Sequence, residues 1–516
     1  MRRSSEDVRR LSRRFAAFVV SLGRMRTPPT RPDLPVESAI SFHADCVLGA
    51  WEGRVRSHVG GDRAGVVGVP NPAEALKWRL ALMDEAQHSV DAQYYLWEAD
   101  HVGYLMISRV LQAADRGVRV RLLVDDVEQA PSTTSIAALT LHPNVDIRVF
   151  NPWGTRRAGP FHSLEFLLGF QTLNRRMHNK LLVADNAAAI VGGRNIADAY
   201  FGLDGTSNFV DFDAVIGGAV VRELSDVFDT YWNSLSAYPG GSLDPNADVG
   251  DLEATRTLIA NELSSRASAL VTFPLERVDW TDRLSSAIDQ CSSASVSLAH
   301  DEPGDYVRAP AEQVAAALVD VAEQAESELV IATPFLVPSE EDVDWYREVI
   351  DRGVSVRLLT NSLATNPAPI SNAGLRKQRR KLIEAGVDLY ELRTDAAAQT
   401  AWETPPTAGQ RLGVHAKLYV IDRRHLFVGS LNLDPRSLAI NTEFGVLLED
   451  PTLADEVAGM IERLIEPDNA WEVGVNADGN VTWENDANTT RQQPARSRAQ
   501  LTTDWVLSHL PIQHQI

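Results

Sequence analysis

The chain has 516 residues, 44% of them hydrophobic and 23% charged, a composition typical of a globular protein with two or more cores. Its two cysteines, Cys46 and Cys291, are too few for a disulfide framework or a thiolate zinc site. The formal net charge of −21 argues against a general nucleic-acid-binding protein, because such proteins neutralise phosphates with basic side chains.

The start of the chain is strongly basic. Nine arginines within residues 1–35 surround a short apolar run at 15–22. Two interpretations stay open: a basic amphipathic helix on an anionic membrane surface, and a disordered Arg-rich leader. No uninterrupted apolar run reaches the ~18 residues that a membrane-spanning helix needs.

An internal repeat divides the body of the chain. The sequence ADRGVRVRLL at 114–123 recurs as IDRGVSVRLL at 350–359, and each copy follows a strand-like segment. Strand and helix patterns alternate in each half, which indicates an α/β fold. The repeat predicts two similar α/β domains that are related by a pseudo-twofold axis and meet at one shared face. We therefore divide the chain into five parts: a basic leader and lead-in (1–70), a first domain (71–240), a connecting segment (241–310), a second domain (311–470), and a hairpin with a C-terminal tail (471–516).

A histidine motif, H-x-K-x4-D-x6-G-[GS]-x-N, follows each copy of the repeat. It reads MHNKLLVADNAAAIVGGRN at 177–195 and VHAKLYVIDRRHLFVGSLN at 414–432. Two such matches, in the same place within two repeats, are not a coincidence of composition. The motif supplies His178, Lys180, Asp185 and Asn195 in the first half, and His415, Lys417, Asp422, Ser430 and Asn432 in the second.

The residue types of the motif suit phosphoryl chemistry. A histidine and a lysine two residues apart on a strand project from the same face, so both can enter one pocket. Ammonium and amide groups donate to phosphate oxygens. One neutral imidazole can attack phosphorus, while the other, protonated, donates to the leaving alkoxide. No cluster of carboxylates accompanies the motifs, so the sequence predicts neither a metal nor another cofactor.

The paired motifs resemble those of the phospholipase D superfamily, and segments such as IVGGRNIADAYFG at 190–202 and VGSLNLDPRSLAINTEFG at 428–445 resemble the C-type branch of bacterial cardiolipin synthases. The resemblance covers about residues 70–470. It implies two pseudo-twofold-related α/β/α sandwich domains, each phospholipase D-like, that share one active site.

The resemblance also implies roles for the residues. His178 is expected to be the nucleophile, and His415 to protonate the leaving alcohol and then deprotonate the acceptor. Asp185 and Asp422 are expected to brace the motifs within the catalytic set. An acid downstream of each motif is expected to orient a histidine: Glu443 in the second half and Asp211 in the first, where Asp213 competes for the assignment. The groups expected to hold the phosphoryl oxygens are Lys180, Lys417, Asn195, Asn432 and Ser430.

Two further segments are candidates for lipid contact. The apolar run 161–170, with Arg156 and Arg157 before it and Arg175 and Arg176 after it, is either a lipid-inserting segment or a core helix. The basic cluster at 376–381 either holds an anionic headgroup or forms a solvated helix face.

The resemblance predicts transfer of a phosphatidyl group, through a phosphohistidine, to phosphatidylglycerol. Hydrolysis of phospholipid by the same site is the alternative. A nuclease is a weaker one, because the net charge of −21 argues against nucleic acid as a partner, and intact motifs argue against a catalytically silent scaffold. The expected partners are phosphatidylglycerol, with phosphatidylethanolamine as a further candidate, and a membrane surface. The expected location is peripheral, on the cytoplasmic face of the bacterial cell membrane.

Overall fold

The computed structural model describes residues 31–126, 133–153, 175–303, 313–486 and 488–509. Most of the Arg-rich leader, the apolar run 161–170 and the two arginines before it lie outside the described residues, so their predicted roles stay predictions.

The described strands form one continuous sheet of 18 strands and a separate pair. The strands of the first half are β1 (Ala64–Val69), β2 (Ser89–Tyr94), β3 (Arg119–Asp125), β4 (Val145–Phe150), β5 (Leu181–Ala184), β6 (Ala188–Gly192), β7 (Asn208–Val210), β8 (Asp213–Gly217) and β9 (Ala237–Pro239). Those of the second half are β10 (Ser292–His300), β11 (Glu328–Ala332), β12 (Ser355–Asn361), β13 (Asp388–Leu392), β14 (Leu412–Val414), β15 (Leu418–Ile421), β16 (His425–Gly429), β17 (Phe444–Glu449), β18 (Ala470–Val475), β19 (Val481–Asn485) and β20 (Asn488–Thr490).

The order of the strands repeats on either side of a central seam. The first half runs β9-β4-β3-β2-β5-β6-β8-β1, and β1 pairs antiparallel with β10, Ala64 opposite Ala294. The second half continues β10-β17-β16-β15-β11-β12-β13-β18-β19-β20. In both halves three parallel strands, β2-β3-β4 and β11-β12-β13, are followed toward the seam by antiparallel ones. Each of the eight strands that the first half contributes to the sheet therefore has a counterpart at the same distance from the seam, as the predicted pseudo-twofold axis requires, and β19 and β20 extend the second half beyond this repeat.

Helices cover both faces of this sheet. They are α1 (Val47–Val59), α2 (Pro72–Glu85), α3 (His101–Asp115), α4 (Thr133–Leu139), α5 (Val220–Trp232), α6 (Val249–Arg266), α7 (Thr281–Ile288), α8 (Gln313–Ala322), α9 (Glu340–Asp351), α10 (Pro369–Glu384), α11 (Pro435–Ala439), α12 (Pro451–Ile465) and α13 (Arg498–Ser508). Equivalent helices begin with side-chain caps: Asp100 accepts from Gly103 N ahead of α3, and Ser339 accepts from Asp342 N ahead of α9.

The described residues form three hydrophobic clusters. One lies under α2 and α3 on the outer face of the first half, and another under α8 and α9 on that of the second. The third is shared by both halves, because it joins Val221 and Phe228 of α5 to Val457 and Ile461 of α12. Each half is thus a sheet between two helical layers, and the shared layer joins the halves.

The C-terminal region contains the predicted hairpin, whose turn includes Asp478 and Gly479. Strands β18 and β19 pair antiparallel, Val475 opposite Val481, and Gly479 has a φ of 79°, a left-handed conformation that glycine adopts without strain. Across the described part of the chain, no helix has both the length and the apolar character needed to cross a bilayer.

Candidate active site

Short parallel pairings between the halves bring the two motifs together. Strand β14 pairs with β7, Val414 opposite Val210, so the next residues, His415 and Asp211, are neighbours. The N–H of His415 also donates to the carbonyl oxygen of Val210 at 2.8 Å. The chain that leads into each histidine therefore runs beside the chain that leads into an acid of the other half.

The second of these pairings repeats the arrangement. Met177 forms a parallel bridge with Thr442, and the N–H of His178 donates to the carbonyl oxygen of Thr442 at 2.9 Å. The residues that follow are His178 and Glu443. The site is thus built twice, with the roles of the halves exchanged.

Each histidine makes a hydrogen bond with the acid of the other half. His178 Nδ1 lies 2.9 Å from Glu443 Oε2, and His415 Nδ1 lies 2.7 Å from Asp211 Oδ2. Both acids are fully buried, whereas each histidine is 7% exposed. A buried carboxylate beside Nδ1 orients the ring and leaves Nε2 for the reaction.

The tautomer of His178 follows from a second contact. Its Nδ1 also lies 3.0 Å from the carbonyl oxygen of Ser430, which only accepts hydrogen bonds. A proton on Nδ1 lets the ring donate to this carbonyl oxygen and to Glu443, so we assign the tautomer with its proton on Nδ1. The lone pair of Nε2 is then free in the neutral ring, as a nucleophile requires.

The two lysines lie against the histidines of their own motifs. Each donates from Nζ to the carbonyl oxygen of its histidine, and Lys417 Nζ is 3.0 and 3.1 Å from the ring nitrogens of His415. Lys180 Nζ lies 5.2 Å from the ring centroid of Tyr95. Burial, and then the charge of Lys417, hold the pKa of Lys180 well below 10.5, and burial lowers the pKa of Lys417 to about 8.

The charges of both halves act on each histidine. Burial, followed by the charges of Lys180 and Lys417, holds the pKa of His178 well below 6.5. Burial and the charge of Lys417 lower the pKa of His415 to about 3, although Asp211 opposes this. Both imidazoles are therefore neutral before a substrate binds. Since Lys180 and Lys417 lower the pKa of both histidines, the two lysines act on one shared site between the halves.

The two acids differ in protonation. Burial raises the pKa of Glu443 to about 7, although Lys180 and Ser430 oppose the rise. Burial also acts to raise the pKa of Asp211, but His415 and Lys417 outweigh it and bring that pKa to about 2. Asp211 is therefore ionised at neutral pH, whereas Glu443 is near its titration point. The halves are alike in geometry and different in charge.

Ser430 lies in the site, and its hydroxyl contacts the acid that orients His178. It is expected to help hold phosphoryl oxygens, yet its buried Oγ donates to Glu443 Oε2 and accepts from Phe444 N at 3.0 Å. It thus holds the acid that orients His178. In the first half its counterpart is Gly193, where a Cβ would lie 2.1 Å from Asp211 Oδ1. The carboxylate of Asp211 occupies the space that a serine needs.

The two asparagines are buried at the ends of their motifs. Asn195 accepts from Leu96 N at 3.3 Å and donates from Nδ2 to Tyr200 Oη at 2.9 Å. Asn432 donates from Nδ2 to Ser437 Oγ at 3.1 Å. Since an amide nitrogen has two hydrogens, each side chain keeps one donor beyond these contacts. Their predicted role as phosphate donors stays a prediction.

Asp185 and Asp422 are part of the catalytic set expected from sequence, but the structure does not bring them to the histidines. Each follows the strand that its histidine precedes, so strand geometry places it about 20 Å away. Asp185 accepts from the N–H groups of three consecutive residues, 87–89, and Asp422 from those of 326–328. These hydrogen bonds give the expected bracing role a physical basis. The distance from the histidines gives no such basis for a catalytic role.

Asp211 and Asp213 were alternative candidates for the acid that orients a histidine, and their contacts with arginines distinguish them. Asp213 makes ion pairs with Arg79 at 2.7 Å and Arg194 at 3.0 Å. Arg194 also donates to the carbonyl oxygen of Asp211 at 2.8 Å. Asp213 thus anchors the strand, and Asp211 alone faces His415.

Three residues in the site were not singled out from sequence. The rings of Tyr95 and Tyr200 meet those of His178 and His415 edge to face, each with centroids 4.8 Å apart. Asp301 accepts from Glu443 N at 2.8 Å and donates from its own N–H to the carbonyl oxygen of Glu443 at 3.0 Å. Tyr95 and Tyr200 each belong to a pair of adjacent aromatic residues, Tyr94-Tyr95 and Tyr200-Phe201, which could have drawn attention to them. Nothing in the sequence marks Asp301.

One candidate for lipid contact is corrected, and the contacts of a second favour one of its two interpretations. Arg176 is buried, pairs with Asp125 at 3.3 Å and lies 4.9 Å from the ring centroid of Trp153, so it is not a surface cation. In the basic cluster at 376–381, four members have acidic partners within the protein, which favours a structural or solvated helix face over a headgroup site. These pairs are Arg376–Asp504, Arg379–Glu391, Arg380–Glu384 and Lys381–Glu340.

In the ranges that the structure describes, no group of three or more His, Cys, Asp or Glu side chains is arranged to hold a metal ion. That the reaction needs no metal stays a prediction.

Comparison with known proteins identifies the family. The family model for "Cardiolipin synthase, PLD-like domain" matches residues 80–232 and 318–465, more than half of the chain. The chain belongs to this family. It is 34% identical over 423 residues to cardiolipin synthase C of Escherichia coli (strain K12), which covers 80% of this chain and 86% of that relative. It is 24% identical over 382 residues to cardiolipin synthase B of Shigella flexneri, covering 73% of this chain and 75% of the relative.

A solved structure supports the fold. The phosphatidylserine synthase of Haemophilus influenzae Rd KW20 superposes with a TM-score of 0.51 at 13% identity, over 80% of this chain and 91% of that one. This superposition, with the family match, confirms the predicted paired α/β fold. The family match and the relative at 34% identity confirm the predicted superfamily and a phosphatidyltransferase of the cardiolipin synthase type. The predicted domain boundaries stay predictions.

Proposed function

We propose that the enzyme transfers a phosphatidyl group to a hydroxyl of phosphatidylglycerol and so forms cardiolipin. The observation that carries the proposal is the crossed pairing of two histidines with two acids of different charge. His178 suits a nucleophile, because its proton is on Nδ1 and the pKa of Glu443 beside it is about 7. His415, beside the ionised Asp211, suits an acid and base.

In the first step, His178 Nε2 attacks the phosphorus of the donor lipid and forms a P–N bond. The P–O bond to the leaving alcohol breaks, and His415 gives its Nε2 proton to the departing oxygen. His415 must be protonated for this step. A bound phosphodiester supplies a negative charge that offsets Lys180 and Lys417, so substrate binding raises the pKa of His415 from its value of about 3.

In the second step, neutral His415 takes the proton of the acceptor hydroxyl. The acceptor oxygen attacks phosphorus, the P–N bond breaks, and His178 returns as a neutral imidazole. Lys180 and Lys417 stabilise the charge on the non-bridging oxygens in both transition states, and the remaining amide donors of Asn195 and Asn432 suit the same oxygens. The acceptor decides the product: phosphatidylglycerol gives cardiolipin, and water gives phosphatidic acid.

The proposed partners are phospholipids, with phosphatidylglycerol as acceptor and either it or phosphatidylethanolamine as donor. The proposed location is peripheral, on the cytoplasmic face of the bacterial cell membrane, with no nucleic acid as partner. Because the net charge is −21, an anionic surface repels the protein as a whole. Binding then depends on local basic segments, and the Arg-rich leader is the first candidate.

The test is lipid mass spectrometry after incubation with phosphatidylglycerol, with and without phosphatidylethanolamine. Cardiolipin as the main product supports the proposal, whereas phosphatidic acid alone would establish hydrolysis. Co-sedimentation with phosphatidylglycerol vesicles, for the full chain and for a chain lacking residues 1–30, tests the location. Equal binding of both chains at low and high salt would remove the leader as the anchor.

A further inference from the structure

A groove of about 230 Å³ runs along the outer face of the second half, between α8 and α9. Side chains of β11 and β15 line it as well, among them Ile331 and Tyr419. The lining is mostly apolar. Its two acidic residues, Glu341 and Asp342, belong to the first turn of α9, where Asp342 completes the helix cap.

In the first half, a tryptophan occupies the equivalent position. Trp97 forms a parallel bridge with Ile196 just as Leu336 forms one with Leu433, so Trp97 and Leu336 correspond. Trp97 is buried, and its Nε1 donates to the carbonyl oxygen of Gly103 in α3 at 3.3 Å. The smaller Leu336 instead lines the groove.

A methionine is replaced in the same way. Ser89 and Glu328 begin the equivalent strands β2 and β11. Six residues before them are Met83 in α2, which is 1% exposed in the core of the first half, and Ala322 in α8, which lines the groove. Two large side chains of the first half thus correspond to smaller ones in the second, and both of these smaller side chains line the groove.

One end of the groove lies beside the candidate site. Leu433, in the lining, directly follows Asn432. Leu438, also in the lining, belongs to α11, whose Ser437 accepts a hydrogen bond from Asn432. The other end lies near Ile421, at the far end of β15. The groove therefore leads away from Asn432, a predicted phosphate donor, along the length of a strand.

We propose that this groove binds a fatty acyl chain of the phospholipid while its phosphate lies between His178 and His415. The inference rests on the proposed function, because it takes the substrate to be a phospholipid. An acyl chain suits the groove, since burying methylene groups against an apolar lining is favourable and needs no hydrogen-bond partners. Val319, in the lining, is 42% exposed and offers the chain an apolar entrance.

The test fills the groove with the residues of the other half. Ala322→Met and Leu336→Trp are compared with Ala316→Met, on the exposed face of α8. Each is assayed with dioleoyl phosphatidylglycerol in mixed micelles and with soluble dihexanoyl phosphatidylglycerol. We expect the filled variants to raise KM for the long-chain lipid about tenfold and to leave short-chain turnover and Tm unchanged. Ala316→Met should match wild type with both lipids.

Fluorescence gives a second measurement that does not depend on the filled variants folding. Trp345 is in the lining, so phosphatidylglycerol with brominated acyl chains should quench its emission. The chain has 11 tryptophans, and the difference between wild type and Trp345→Phe isolates this one.

The outcomes separate the two proposals. If wild type forms no cardiolipin from either lipid, the proposed function fails. If it forms cardiolipin but both filled variants change KM for both lipids equally, or Trp345 contributes nothing to the quenching, the groove is not an acyl site. If the Tm of a filled variant falls together with its activity on both lipids, a segment of the chain itself occupies the groove. That result also overturns the inference.

Discussion

His178 Nδ1 lies 2.9 Å from Oε2 of Glu443, a residue 265 positions further along the chain and in the other half. Asp211 and His415 make the reciprocal contact at 2.7 Å over 204 positions. Each half thus supplies the histidine of one pair and the acid of the other. Any shift of one half against the other disturbs both reacting groups at once.

Removing the acids should have unequal effects. Asp211→Asn should lower kcat by about 10³–10⁴-fold, as for an Asp-to-Asn change beside a catalytic histidine. An amide that turns its NH₂ toward Nδ1 of His415 favours the wrong tautomer. Glu443→Gln should cost only about 10- to 100-fold, because the carbonyl oxygen of Ser430 still holds the Nδ1 proton of His178. Initial rates of cardiolipin formation at pH 7 measure both, and a larger loss for Glu443→Gln would contradict the assigned tautomer.

Loss of either histidine should abolish turnover as completely as loss of both. His178→Ala and His415→Ala should each lower turnover by at least about 10⁴-fold, and the double variant should be no worse than the weaker single one, because nucleophile and acid act in the same step. Rapid quenching with radiolabelled lipid should trap a phosphatidyl adduct on wild type and none on His178→Ala. A labelled His178→Ala protein would show that another residue is the nucleophile.

Activity should rise with pH through about 7, because Glu443 has a pKa of about 7 and only its ionised form is a full acceptor for the Nδ1 proton of His178. It should fall above about 8, where Lys417 loses its proton and a charge that stabilises phosphate. The profile of kcat on a soluble phosphodiester measures both limbs. In Glu443→Gln the acidic limb should disappear. If the limb stays at the same pH in that variant, another group controls it.

The motif aspartates should affect stability rather than chemistry. Asp185→Asn replaces one of two accepting oxygens with a donor that faces backbone N–H groups, so we expect a loss of about 1–3 kcal/mol in the free energy of unfolding. Asp422→Asn should cost less, because Asp422 is partly exposed whereas Asp185 is buried. Urea denaturation measures both. Folded protein at low temperature should keep kcat within about threefold of wild type, and a large fall in kcat without loss of stability would restore a catalytic role.

The repeat predicted most of the fold, because duplicated strand and helix patterns at matching positions require matching topologies. The motif likewise predicted which histidines and lysines are buried together. The crossed pairing depends on how the halves dock, through β7 with β14 and Met177 with Thr442, and three-residue contacts of this kind leave no periodic signal. Arg176 failed as a surface cation because its partner, Asp125, lies 51 positions away. The contact of Ser430 with Glu443 could not be predicted, because the direction of its hydroxyl depends on where Glu443 lies.

Exchanging the one unmatched pair of motif residues should show that the two halves are no longer interchangeable. Gly193→Ser would place a Cβ 2.1 Å from Asp211 Oδ1, and either the backbone or the carboxylate has to move. We expect a loss of about 1–3 kcal/mol from overpacking and a fall in kcat close to that of Asp211→Asn, because Asp211 is displaced from His415. Ser430→Ala creates no clash. It removes one hydrogen bond from Glu443, so kcat should fall by less than about tenfold. Thermal unfolding and initial rates measure both variants. Wild-type kcat in Gly193→Ser would contradict this prediction. It would mean that Asp211 can move and still contact His415, so a serine at position 193 would be compatible with the site.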